Sequence, residues 1–109
     1  MTDDELPLAD SLALGQLAYL RQRSLGNPRY RDAAYVRLYV TPRYLHWSQP
    51  SVFDPHLYSV RRSLDTFERL AKRRDPGADD AWRSVLAAVD LLLTEAHHRV
   101  GHRIRPRRF

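Results

Sequence analysis

The sequence predicts an all-α fold, an antiparallel helical bundle of three to four helices with a basic C-terminal arm. Three observations predict it. Leu57, Val60, Leu64, Phe67 and Ala71 recur at three-four spacing, the seam of a bundle helix. Trp82, Val85, Val89, Leu92, Leu93, Ala96 and Val100 repeat that pattern in the last long segment. Between them "RDPGADD" is a turn so short that the two helices must run antiparallel as a hairpin. The 109 residues suit one domain, residues 1 to 109, with a single core. The absence of cysteine excludes disulfides, thiolate metal ligands and cysteine nucleophiles.

Residues 1 to 8 are an acidic lead-in, expected to be poorly ordered. Asp10 then offers an N-cap, and "SLALGQLAYLRQRSLG" sets Leu14, Leu17, Ala18 and Leu25 within one helical face. Leu12 and Tyr19 fall on the opposite side, so this helix is expected to be covered twice. Gly26-Asn27-Pro28 ends it.

Pro28 suits the first position of a second helix running to about Thr41, where Pro42 interrupts it. The same stretch also alternates like a strand, with Tyr35, Arg37, Tyr39 and Thr41 against Val36, Leu38 and Val40. Helix is preferred, because a strand needs a partner and the only other nearby candidate is a short run at Val52-Phe53. "PRYLHWSQPSVFDP" reads as a loop broken by prolines.

Asp54-Pro55 is an N-cap followed by a first-turn proline, so helix three starts there. Helix four is expected from about Asp80 to Val100. Its middle is apolar almost all round, and Ala87, Ala88 and Leu91 on its back imply either a central position in the bundle or a contact with a second copy of the chain. Beyond Gly101, "HRIRPRRF" has no periodicity and reads as a mobile basic arm over residues 101 to 109.

The net charge of +5 points to an acidic partner, nucleic acid first. Seventeen of the eighteen basic residues are arginine, a skew that a G+C-rich coding sequence also produces. Position is more informative. Counting Asp, Glu, Lys and Arg, residues 29 to 47 carry +3 and residues 99 to 109 carry +5, whereas residues 1 to 28 and 48 to 98 are slightly negative.

Three groups of residues fit a nucleic-acid surface, with arginines to neutralise phosphates and aromatic rings to stack on bases. The first is Arg29, Arg31, Arg37 and Arg43 with Tyr44 and Trp47. The second is Arg62, Arg69 and Arg73 of helix three, which align with Tyr58 and Thr66 away from the seam. The third is Arg103, Arg105, Arg107 and Arg108 of the tail. Each has a plainer reading: the aromatic residues as core, and the helix-three stripe as a solvated face neutralised by i,i+4 pairs Asp65–Arg69 and Glu68–Lys72.

The parts of common catalytic sites are missing. Four scattered glycines build no phosphate-cradling loop, and no serine sits in a Gly-x-Ser-x-Gly elbow. Glu95, His98 and His102 share a helical face, but opposite Val89, Ala96 and Val100, so they are expected to be wet rather than to hold a metal. Positive charge on the histidines near the helix C-terminus would complement the helix dipole. The longest apolar stretch, "VLAAVDLLL", is too short to span a membrane, and the N-terminus is acidic where a signal peptide is basic. The expectation is a cytoplasmic, non-enzymatic binding or regulatory protein without cofactor or metal, acting on nucleic acid. The competing expectation is an assembly module that homodimerises through Ala87, Ala88 and Leu91.

Overall fold

A computed structural model of the chain describes residues 6–42, 47–48 and 50–108. Its elements are α1 (Leu8–Arg23), a 3-10 turn (Tyr30–Asp32), α2 (Ala33–Val40), α3 (Asp54–Lys72) and α4 (Ala78–Val100), with no strand among the described residues. The chain is the all-α bundle its periodicity predicts. The hairpin of α3 and α4 forms the largest interface, α1 packs on α2 and α4, and α2 packs on α1 and α3. Diagonal corners of the bundle therefore belong to α1 and α3.

Helix α1 starts two residues before Asp10, with Pro7 at the N-cap position. The expected cap has a different task. Asp10 is buried in the first turn, where its carboxylate accepts the Ser48 amide at 2.7 Å and the Ser48 hydroxyl at 3.0 Å. It ties the long loop to α1.

The second segment is helical, as preferred, but shorter than expected. Pro28 lies outside it, and the chain makes one 3-10 turn before α2 begins at Ala33. What holds eight residues in a helix is tertiary, because so short a helix is marginal alone. Ala33, Val36, Tyr39 and Val40 are buried, and three side chains satisfy the orphan carbonyls at its C-terminus. Thr41 donates its hydroxyl to the Arg37 carbonyl at 2.7 Å, Arg61 of α3 donates to the Val40 carbonyl at 2.7 Å, and the Trp47 indole N–H donates to the Tyr39 carbonyl.

Helix α3 begins at Asp54 itself, with Phe53 at the cap position and Pro55 in the first turn. Leu57, Val60, Leu64 and Phe67 are buried as the seam predicts. At its end the Asp75 amide reaches the Leu70 carbonyl at 3.0 Å and the Arg74 amide the Ala71 carbonyl at 3.0 Å. These are the two bonds of a Schellman motif, and Arg74 occupies its left-handed position at φ 53°. Helix α4 starts at Ala78, two residues before the expected position, with Asp79 and Asp80 favourably placed in its first turn. It closes on Gly101, left-handed at φ 71°, whose amide donates to the His97 carbonyl at 2.9 Å.

Two aromatic groups lock the two ends of the bundle. Near the α3–α4 turn, the Phe67 and Trp82 rings lie 4.9 Å apart and Tyr30 meets Phe67 edge-on at 5.0 Å. At the other end Trp47 meets Phe53 at 5.8 Å.

The tail is not detached from the bundle. Ile104 packs against the core, and the Arg107 amide donates to the Gly15 carbonyl of α1 at 2.7 Å. Residues 103–108 thus form a strap lying over α1 and α4, beside Ala18, Leu25 and Leu93. The free arm that the sequence suggests is docked, because Ile104 supplies one apolar anchor inside an otherwise charged stretch.

Candidate nucleic-acid interface

The described arginines and aromatic residues of positions 29 to 47 do not form one surface. Trp47 is 4% exposed, in the core against Phe53, with its N–H spent on the Tyr39 carbonyl. As a base-stacking residue it is therefore corrected to a core residue. Tyr39 is also core, and Tyr30 rests its ring on Phe67 and Trp82. Arg43 and Tyr44 lie outside the described residues.

Most of the described arginines there are committed to carboxylates. Asp32 is fully buried at the head of α2, and Arg23 of α1 grips it, with Nε 2.8 Å from Oδ2 and a second bond to Oδ1. This contact raises the Arg23 pKa. Arg29 approaches the same carboxylate at 3.6 Å. Arg37 reaches across to α3, bonding Asp65 at 2.7 Å and Glu68 twice at 3.1 Å. Glu68 first, then Asp65, raises its pKa against the cost of partial burial. Of this group only Arg31 is exposed without an ion pair among the described residues.

That commitment changes the face of α3. The expected pairs Asp65–Arg69 and Glu68–Lys72 do not form, because both carboxylates turn to Arg37 instead. A planar guanidinium that bonds two carboxylates at once outcompetes two flexible exposed pairs worth a few tenths of a kcal/mol each. Arg62, Arg69, Lys72, Arg73 and Arg74 are consequently exposed and have no carboxylate partner among the described residues. Arg62, Arg69 and Arg73 fall within 40° on the helical wheel, opposite the Leu57–Leu64 seam, and span about 16 Å along the axis. Tyr58, 54% exposed, ends the row, with the Arg62 guanidinium 5.8 Å from its ring centroid.

The strap is a second basic surface. Arg103, Arg105, Arg107 and Arg108 are exposed and make no ion pair with a described carboxylate. Asp90, which lines the same groove as Arg103 and Arg105, pairs with Arg21 at 3.1 Å. Hydrogen bonds from Arg23 and then from Arg108 lower the pKa of Tyr19 below the ordinary tyrosine value. The strap crosses α1 at Gly15, where a Cβ would stand 2.9 Å from Arg107 Cγ. The signal for this contact was a glycine inside a helix, where alanine would be favoured by about 1 kcal/mol. Lys72, expected to pair with Glu68, is free of it because Glu68 turns to Arg37, and Arg74 joins the exposed basic residues at the helix end.

On α4, Leu91 is 64% exposed beside exposed Ala87, while Ala88 packs partly against the core. The apolar back is one leucine and one alanine wide. His97 and His98 are exposed with ring centroids 6.1 Å apart, and His102 Nδ1 lies 3.1 Å from the Val100 carbonyl. Among the described residues, no three His, Asp or Glu side chains converge as metal ligands, and no helix is long and apolar enough to cross a membrane.

No family model, curated protein or solved structure matches this chain.

Proposed function

We propose that the protein is a small non-enzymatic binding protein that contacts the phosphate backbone of nucleic acid through the outer face of α3. The observation that carries this reading is the row Arg62, Arg69 and Arg73, flanked by Lys72 and Arg74, from which Arg37 draws both nearby carboxylates away. A straight row of about 16 Å matches several consecutive phosphates on a duplex strand. Binding of this kind releases counterions and reads little sequence. Burial of Trp47 supports backbone contact over stacking on bases.

The test is fluorescence anisotropy with a labelled duplex at rising salt, using wild type and an Arg62→Gln/Arg69→Gln/Arg73→Gln variant. Log affinity should fall linearly with log salt, and the variant should flatten that slope by about three. A wild type that ignores the duplex at low salt, or a variant with an unaltered slope, refutes the assignment. The reading as a homodimer rests on Leu91 with Ala87 alone, and light scattering after gel filtration reads it directly.

A further inference from the structure

Building on that reading, we infer that the protein has two backbone-binding faces on opposite sides of the bundle and bridges two separate nucleic-acid segments. The first face is the α3 row. The second is the strap, whose four arginines are held in place by the Arg107–Gly15 bond and the Ile104 anchor rather than trailing in solvent.

Three features separate the faces. Helix α3 sits diagonally across from α1, and its arginine row points away from its own seam, whereas the strap lies on the outside of α1 and α4. The surface of α4 between them is not basic: Arg83 pairs with Asp80 and Arg99 with Glu95, leaving exposed Asp79 uncompensated by any ion pair among the described residues. On the other flank Arg37 of α2 is neutralised by Asp65 and Glu68 and Arg29 approaches Asp32, which leaves Arg31 as the one exposed arginine of residues 29–42 without an ion pair among the described residues.

One duplex cannot serve both faces. The bundle measures 48 × 26 × 22 Å, and DNA with a persistence length of about 500 Å does not fold around a body that narrow. Two positive faces set back to back across so narrow a body, with a single unpaired arginine on the flank between them, therefore take two segments. Seven guanidiniums divide between them, three on α3 and four on the strap.

The experiment anchors one duplex to a surface, adds protein, and measures retention of a second, fluorescent duplex, with anisotropy on single duplexes in parallel. Wild type should retain the second duplex. Arg62→Gln/Arg69→Gln/Arg73→Gln and Arg103→Gln/Arg105→Gln/Arg107→Gln/Arg108→Gln should each keep binding one duplex through the remaining face, with salt slopes of about four and about three respectively, and lose retention of the second duplex at least ~10-fold. Circular dichroism checks that each variant folds, and truncation after His102 repeats the strap test without substitutions. Wild type that binds one duplex but retains no second overturns the bridging while leaving the α3 reading intact. A single-face variant that retains the second duplex as wild type does also overturns it, since a dimer bridging through one face behaves that way. Wild type that binds no duplex at all brings down both.

Discussion

The amide of Arg107 donates to the carbonyl of Gly15 at 2.7 Å, and this approach exists because Gly15 has no side chain. A Cβ there would meet Arg107 Cγ at 2.9 Å and Arg107 Cβ at 3.1 Å, atoms too near the backbone to swing aside. Gly15→Ala should therefore lift the strap while raising the helix propensity of α1 by about 1 kcal/mol. Trypsin should cut after Arg103 and Arg107 several times faster in the variant, with no loss in the unfolding midpoint. Equal cleavage rates in the two proteins would mean that Gly15 does not hold the strap.

The pair of Arg23 and Asp32 ties the end of α1 to the head of α2 around a fully buried carboxylate. Arg23→Ala leaves that carboxylate with Arg29 alone, and breaking such a contact should destabilise by about 3 kcal/mol. Asp32→Asn should cost less, because the partly exposed Arg23 can turn to water and the amide keeps one acceptor. Urea unfolding monitored by helical circular dichroism measures both. An Arg23→Ala midpoint equal to wild type would show that the grip contributes nothing.

How much of this was legible in the sequence depends on the range of the interaction. The α3 and α4 seams were legible because burial of Leu57 to Phe67 and of Trp82 to Val100 follows a 3.6-residue period that the chain carries by itself. The start of α2 was not, since Pro28 is a valid first-turn residue, whereas the chain winds through a 3-10 turn first, where Tyr30 meets Phe67 edge-on and Asp32 is held by Arg23, contacts that no local pattern announces. For Trp47 the pattern leaves two readings open, base-stacking or core, and the structure bears out the core one. Its composition context is that of a stacking surface, while its burial is decided by Phe53 and the α2 terminus. The α3 arginines were read correctly as a row, but their freedom from Asp65 and Glu68 depends on Arg37, some thirty residues away.

Arg74 sits at φ 53° in the position of the α3 Schellman motif that glycine normally fills. A residue with a Cβ is strained there, so Arg74→Gly should stabilise the protein by about 1 kcal/mol, or roughly 4 °C in Tm. Differential scanning calorimetry reads the shift. A lower Tm in the variant would show that the arginine side chain contributes more than its backbone strain costs.

Tyr19 gives the strap a spectroscopic signature. Arg23 and then Arg108 favour its phenolate, so the folded-state pKa lies below the ordinary value of 10.0. A lowered pKa means that this tyrosine stabilises the fold fully above the ordinary value, and that the contribution is lost as pH falls through the lowered one. In a phenolate absorbance titration one tyrosine should ionise ahead of the rest, and Tyr19→Phe should remove that early phase. Truncation after His102 should move it only part of the way back, because Arg23 remains. An early phase unaltered by truncation would exclude Arg108 from contact with Tyr19.

Arg37 should matter for binding without touching the ligand. It holds Asp65 at 2.7 Å and Glu68 at 3.1 Å, and the residues one turn further on are Arg69 and Lys72. Arg37→Ala frees both carboxylates to make those i,i+4 pairs, which neutralises part of the α3 row. Affinity for a duplex should fall and the salt slope should flatten by about one to two. A loss of this kind is reversible by removing the freed charges. Arg37→Ala/Asp65→Asn/Glu68→Gln should therefore bind close to wild type, even though it still lacks Arg37. If Arg37 met a phosphate directly, the triple variant would stay as weak as the single one, because neutralising Asp65 and Glu68 cannot replace a lost guanidinium contact. The double-mutant logic thus separates an arginine that clears a surface from one that belongs to it.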